Sequence, residues 1–258
     1  MPDAALAGCY VISLRPVGAH DVLRRAAAAH GARVLGLSPW KLVQRDDAAT
    51  RRDLRAALAC ARVLFTSPAA VRAATVLRSL RVRRGQAWFA VGAGTAAALR
   101  RAGIADVLAP QRMDSEGLLA LPGLREVDGI SVGVVTAPGG RNEIVPTLRR
   151  RGVQVVRADV YARVAVPLSL RALAALRALD APTWLALSSG EALERVLGEL
   201  PIDVLTTLRR ARVVAASTRL AQLAQAHGFT DVTIAASAQP RDLMAAASAQ
   251  ARLAQPER

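Results

Sequence analysis

Three kinds of strand-then-helix unit each occur twice along this chain, and that repetition limits its fold more than any other feature. The stretch "VLFTSPAAVRAA" (63–74) is matched by "WLALSSGEALERVL" (184–197). In each, an apolar run ends in Ser-x-x-Ala and opens a helical pattern, so that Ser67 answers Ser189. The stretch "GTAAALRRAGIADVLA" is matched by "STRLAQLAQAHGFTDVTIA", with Thr95 answering Thr218 and Gly103-Ile-Ala-Asp-Val answering Gly228-Phe-Thr-Asp-Val across a slightly longer helix. Ser67 and Thr95 are 28 residues apart, Ser189 and Thr218 are 29. The third kind is looser: residues 9–37 resemble residues 130–158, each a strand, an arginine (Arg15, Arg141), a helix, a glycine and a second strand.

Strand and helix alternating in this way build a parallel sheet covered on both faces, and six units imply two similar doubly wound α/β domains. The 258 residues, 52% of them hydrophobic, are enough to fill two such cores. In such sheets ligands bind beyond the carboxyl ends of the strands, where helix N-termini offer free N–H groups and partial positive charge. The repeated Ser and Thr residues fall at those ends, which suits anchoring a carboxylate or phosphate. Plain helix capping explains each of them singly just as well.

The formal charge of +15 favours a polyanionic partner, although Lys41 is the only lysine and arginine-rich wording also follows from genome base composition. Aromatic residues make up 3% of the chain, too few for the stacking surfaces of a nucleic-acid binder. Cys9 and Cys60 lack disulfide or zinc spacing, and His20, His30 and His227 are too scattered for a metal site, so each histidine reads as a surface or capping residue. The opening "MPDAALAGCYVISLRP" carries Asp3 and no basic leader, and no apolar run is long enough to span a membrane. The expectation is a cytoplasmic protein with no membrane or nucleic-acid partner. "WFAVGAGTAAALRRAG" (88–103) imitates a dinucleotide turn through Gly92 and Gly94. The acidic residue such a turn needs would be Asp114, which lies past Pro110 in a loop, and the matching copy has no glycine there. Asp114 or Ser115 reads instead as an N-cap.

Taken in order, "FTSPAAV", "VGAGTAAAL", "DSEGLLALPGL", "VYARV" and "LSSGEAL" make the chain similar to the uroporphyrinogen-III synthase family over nearly its whole length. That resemblance implies two α/β domains joined by a two-stranded β linker, with the active site in the interdomain cleft. It also implies a discontinuous first domain (1–37 plus 167–258), a second at 45–156, and linker strands at 38–44 and 157–166. The repeat alone would cut the chain near residue 126 into sequential halves.

The resemblance further implies a cyclising hydro-lyase of tetrapyrrole (haem) biosynthesis that needs no cofactor or metal and works as a monomer on hydroxymethylbilane, a small molecule bearing eight carboxylates. Water is lost from the terminal hydroxyl, and the ring closes to uroporphyrinogen III with inversion of ring D through a spiro intermediate. Tyr161 matches the tyrosine favoured in the family for aiding hydroxyl departure, although packing at a strand end would equally account for it. The carboxylate anchors are Arg15, Thr66, Ser67, Thr95, Arg141, Ser189, Gly190, Ser217 and Thr218. Two other classes stay open: a non-catalytic two-domain small-molecule binding protein, and an NAD(P)-dependent enzyme using Gly92 and Gly94.

Overall fold

Short runs such as Val63-Leu64-Phe65 and Val213-Val214-Ala215, apolar on both sides of the pleat, form strands covered from two faces, and all six side chains are buried. The computed structural model describes residues 5–111, 115–125, 127, 129–139 and 143–253. These divide into two compact units, one drawn from Met1–Lys41 and Ala165–Arg258, the other from Leu42–Val164.

The first unit begins with β1 (Tyr10–Ser13), α1 (Asp21–Ala28) and β2 (Arg33–Gly36), and the chain leaves it through β3 (Trp40–Gln44). The second unit follows as α2 (Ala48–Ala57), β4 (Arg62–Phe65), α3 (Pro68–Leu77), β5 (Ala87–Ala90), α4 (Ala93–Arg101) and β6 (Val107–Leu108). It continues with α5 (Ser115–Leu119), α6 (Pro122–Arg125), β7 (Ser131–Thr136), α7 (Ile144–Arg150) and β8 (Gln154–Asp159). The return runs through β9 (Tyr161–Ala165) to α8 (Leu170–Arg177), β10 (Thr183–Leu187), α9 (Gly190–Glu199) and α10 (Ile202–Arg209). The first unit closes with β11 (Arg212–Ala215), α11 (Thr218–Ala226), β12 (Val232–Ile234) and α12 (Pro240–Leu253).

Each unit holds a five-stranded parallel sheet, in the order β12-β11-β10-β1-β2 and β6-β5-β4-β7-β8. The strands of each sheet thus occupy the same places, but the chain enters them differently, so the two units are circular permutations of one pattern. The chain leaves the first unit along β3 and returns to it along β9, and these strands pair as a two-stranded antiparallel sheet, with Arg45 N–H on Val160 O and Val166 N–H on Pro39 O. The doubly wound pair of domains with a two-stranded connection, expected from the sequence, is present. Residues 157–159, assigned to the linker from sequence, belong to β8 and pair with Val134, Val135 and Thr136.

Alternation along the strands decides which helices each sheet face receives. In the second unit Val63, Phe65, Trp88 and Ala90 point into the core under α2, α3 and α4, with Phe65 and Trp88 stacked at 5.8 Å. Leu64 and Phe89, one residue out of phase, point to the opposite core under α5, α6 and α7. Gly133 in β7 lets the end of α2 lie directly on the sheet, since a Cβ there would stand 1.9 Å from Ala57 O. In both sheets the winding direction reverses at one place, between β1 and β10 and between β7 and β4. In α/β sheets such a reversal is where the carboxyl ends of two central strands leave a crevice for ligands.

Candidate functional site

In the second unit that crevice carries a polar cluster. β4 ends in Phe65, and the following Thr66 donates its hydroxyl to Thr136 at the end of β7, Oγ1 to Oγ1 at 2.7 Å. Ser67 is extended and caps α3, accepting the Ala70 N–H at 3.0 Å, while Pro68 at the first helical position suits a site where an N–H has no partner. The Tyr161 hydroxyl lies 3.1 Å from Ser67 Oγ. Tyr161 opens β9 and is 8% exposed, its ring packed in the α2–α3–α4 core. Three of the sequence-derived site residues, Tyr161, Thr66 and Ser67, are therefore brought together, and Thr136 joins them unannounced.

The neighbouring helix extends the cluster. Gly92 caps α4 with no side chain, and Gly94 lies against Pro68, so the N-termini of α3 and α4 stand side by side with their free N–H groups at the same end of the sheet. Thr95 is the third residue of α4 and only 3% exposed, so most of what that turn offers an anion is backbone. Arg141 and Asp114 lie outside the described residues, as does the Ser115 side chain.

The first unit repeats the pattern with different residues. Ser189 caps α9, accepting from Ala192 N–H, and Ser217 caps α11, accepting from Leu220 N–H. Ser217 and Thr218 are exposed. At Gly190 a Cβ would meet Leu223 Cδ2 at 2.7 Å and Arg219 Nη1 at 3.6 Å. The glycine thus lets α11 pack closely on α9, and it places the Arg219 guanidinium beside the α9 N-terminus. Arg15 follows β1 and is half-buried, with no ion-pair partner among the described residues. Burial pulls its guanidinium below the ordinary arginine value, the condition of a cation lacking an anion.

His20 departs furthest from the sequence reading. It is no surface residue: 6% exposed, it bridges Ser13 through Nδ1 and Ser38 through Nε2, each at 2.8 Å, and caps no N–H of α1 with its side chain. A neutral imidazole donates at one nitrogen and accepts at the other, so both serines are satisfied. Burial lowers its affinity for a proton, and the charges of Arg24 and Arg15 lower it further against the pull of Asp21. Cys9 and Cys60 are buried free thiols, held high by burial. Among the described residues no group of three His, Cys, Asp or Glu side chains could hold a metal ion, and no helix is long and apolar enough to cross a membrane.

Strand register corrects one equivalence. With Ser67 and Ser189 both capping and three residues beyond the paired positions Leu64 and Ala186, Gly92 corresponds to Ser217, and Thr95 to Leu220 rather than Thr218. Both helices have nine residues and both end at a positive-φ glycine, Gly103 or Gly228, followed by a buried Ile104 or Phe229 bonded back to Leu99 O or Ala224 O. The extra length between the copies lies upstream, where α10 is inserted. The same register places Trp40 where the second unit has Tyr161. Only one copy of the pattern carries a phenol.

The family model described as uroporphyrinogen-III synthase HemD matches residues 21–245. The chain belongs to the uroporphyrinogen-III synthase family. It is 33% identical over 153 residues to the uroporphyrinogen-III synthase of Escherichia coli K12, a match covering 58% of this chain and 62% of that protein. The Salmonella typhimurium LT2 protein of the same name matches at the same identity and coverage. The chain thus spans about three-fifths of the length of the curated relatives it matches (62%). Among solved structures, a mutant uroporphyrinogen III synthase from Thermus thermophilus superposes with a TM-score of 0.62 at 16% identity, covering 96% of this chain and all of the other. The Helicobacter pylori 26695 uroporphyrinogen-III synthetase gives 0.60 at 14%, covering 95% and 99%. At those identities the likeness is one of fold.

Thr136 and Arg219 were legible in principle, Thr136 by extending each strand to its carboxyl end and Arg219 by noting an arginine at the second position of a capped helix. His20 gave no sequence signal, because its partners are 7 and 18 residues away.

Proposed function

We propose that the chain is a uroporphyrinogen-III synthase in the full sense, a cyclising hydro-lyase of the cytoplasm, acting as a monomer without cofactor on hydroxymethylbilane. The observation that carries the reading, beside family membership, is the hydrogen bond between Tyr161 and Ser67 at the N-terminus of α3. Ser67 Oγ already accepts from Ala70 N–H, so its own proton is available to the phenol oxygen. With Ser67 donating, the Tyr161 proton is free for the terminal hydroxyl of the substrate, which leaves as water while the adjacent pyrrole nitrogen supplies the electron pair. The helix N-terminus favours the negative charge that grows on the phenol oxygen.

Carboxylates of the substrate are held by the Thr66–Thr136 hydroxyl pair, in which Thr66 donates to Thr136 and leaves the Thr136 proton free, by Thr95 and the free N–H groups of α3 and α4, and by Arg15, Ser189, Gly190 N–H, Ser217 and Thr218. Arg141 serves the same end. The electron-rich pyrroles drive ring closure, and the protein's part is to hold the chain in the geometry that leads to ring D inversion, an orientation effect. Incubation with freshly prepared hydroxymethylbilane, followed by separation of the uroporphyrin I and III isomers, tests this. Type III product is the expected result, and the spontaneous type I product alone would leave the chain a binding protein.

A further inference from the structure

Twenty of the 258 residues are acidic, yet none falls between positions 54 and 105, a stretch holding nine arginines. A base-composition bias explains arginine in place of lysine, not the absence of carboxylates. Four of the nine, Arg78, Arg81, Arg83 and Arg84, lie in the loop joining α3 to β5, and all four are exposed. None has an ion-pair partner among the described residues. The loop leads into the first residue of β5, so it belongs to the amino end of the sheet, opposite the end that bears Ser67 and Gly92.

This is a built surface. Gln86 accepts the Arg83 N–H through Oε1 at 2.8 Å and donates to Leu58 O and Cys60 O at 3.0 and 2.8 Å, tying the loop to the end of α2. Leu80 anchors its middle in the core, and Gly85, at φ +78°, supplies the turn. Val76 and Val82, 70% and 50% exposed, stand among the arginines. Four exposed cations on one short loop, with no ion-pair partner among the described residues, cost electrostatic self-repulsion that a negatively charged surface would relieve. Arginine interleaved with exposed aliphatic side chains is the composition of a protein interface, whereas a nucleic-acid surface would add aromatic rings and a membrane surface an amphipathic helix.

We propose that the Arg78–Gly85 loop is a docking surface for an acidic protein, whose engagement leaves the carboxyl-end site of the same unit open. The test uses the full chain, a loop variant (Arg78→Ser, Arg81→Ser, Arg83→Ser, Arg84→Ser) and an equal-charge control (Arg25→Ser, Arg149→Ser, Arg171→Ser, Arg210→Ser). Probes are a 20-residue alternating Glu-Leu peptide, poly-glutamate of equal charge, a single-stranded 20-mer DNA and phosphatidylglycerol vesicles. The Glu-Leu peptide should bind tightest, and the loop variant should lose about tenfold in affinity for it while the control loses less than about twofold. Turnover of hydroxymethylbilane and the circular dichroism spectrum should be unchanged in the loop variant. Equal losses in both variants would reduce the effect to net charge and overturn the proposal. Preference for DNA or vesicles over the peptide would assign the loop to that partner and overturn it as well.

Discussion

The Tyr161 hydroxyl and the Ser67 Oγ are 3.1 Å apart, although 94 residues separate them in the chain. One opens β9 and the other caps α3, so the phenol reaches the second unit's polar cluster on a strand that does not belong to that unit's five-stranded sheet. Replacing Tyr161 with Phe keeps the buried ring and removes the proton. Turnover should fall about tenfold to a thousandfold, with substrate affinity barely changed. Single-turnover measurement with isomer analysis checks this, and an unchanged rate would leave Tyr161 a packing residue.

Ser67 and Ser189 cap equivalent helices, so alanine at either should cost about 1 kcal/mol of stability. Each should also weaken substrate binding by roughly 0.5–1.5 kcal/mol. Only Ser67→Ala should additionally slow turnover, and combined with Tyr161→Phe it should be non-additive by at least about 0.5 kcal/mol. Urea denaturation and a double-mutant cycle on turnover separate the two roles; an additive cycle would show that Ser67 only caps.

Sequence periodicity was enough for the architecture because each strand-helix unit states itself locally: Ser67 and Ser189 begin their helices with the same four-residue pattern, and Gly103 and Gly228 end theirs. It failed at Thr95 because a small residue followed by threonine looks alike in both copies, while the position the two copies share is the helix cap, glycine in one and serine in the other. It failed at His20 for a different reason. A histidine hydrogen-bonded to the end of β1 and to the loop after β2 is a tertiary fact, and nothing in the local pattern distinguishes it from a histidine at an exposed helix start.

Gly133→Ala would force a methyl group to 1.9 Å from a backbone carbonyl of α2, which no side-chain rotation relieves. A loss of about 3 kcal/mol or more is expected, at the upper end of overpacking effects. Gly198→Ala, in α9 with open space around it, should instead stabilise by about 0.5–1 kcal/mol. Thermal melts of the two variants should move in opposite directions.

His20 binds a proton less readily in the fold than in the unfolded chain. The unfolded state therefore takes up more protons, and the stability owed to neutral His20 is present above its ordinary value near 6.5 and lost as pH falls through the lower folded value. Denaturation at pH 8 and pH 5 should show a decline that is smaller in His20→Gln. An identical decline in both proteins would move the acid sensitivity elsewhere.

The Gly92 turn should not hold a nicotinamide cofactor. Its strand is followed by the two-residue β6, with Ala109 and Pro110 rather than a carboxylate at its end. Calorimetric titration with NAD and NADP should register no binding, and micromolar affinity would reverse the reading.

The permuted order of the two sheets also bears on how the chain is made. A ribosome delivers β4 to β8 as one uninterrupted stretch, so the second unit has all its strands while the nascent chain is still growing. Strands β1 and β2 emerge first but must wait for β10, the neighbour of β1, more than 160 residues later. During that interval one side of β1 has no ladder partner and is open to wrong pairing or chaperone capture. The N-terminal half-sheet is thus the segment whose maturation depends on the speed of translation, and slow synthesis of the middle of the chain lengthens its exposure.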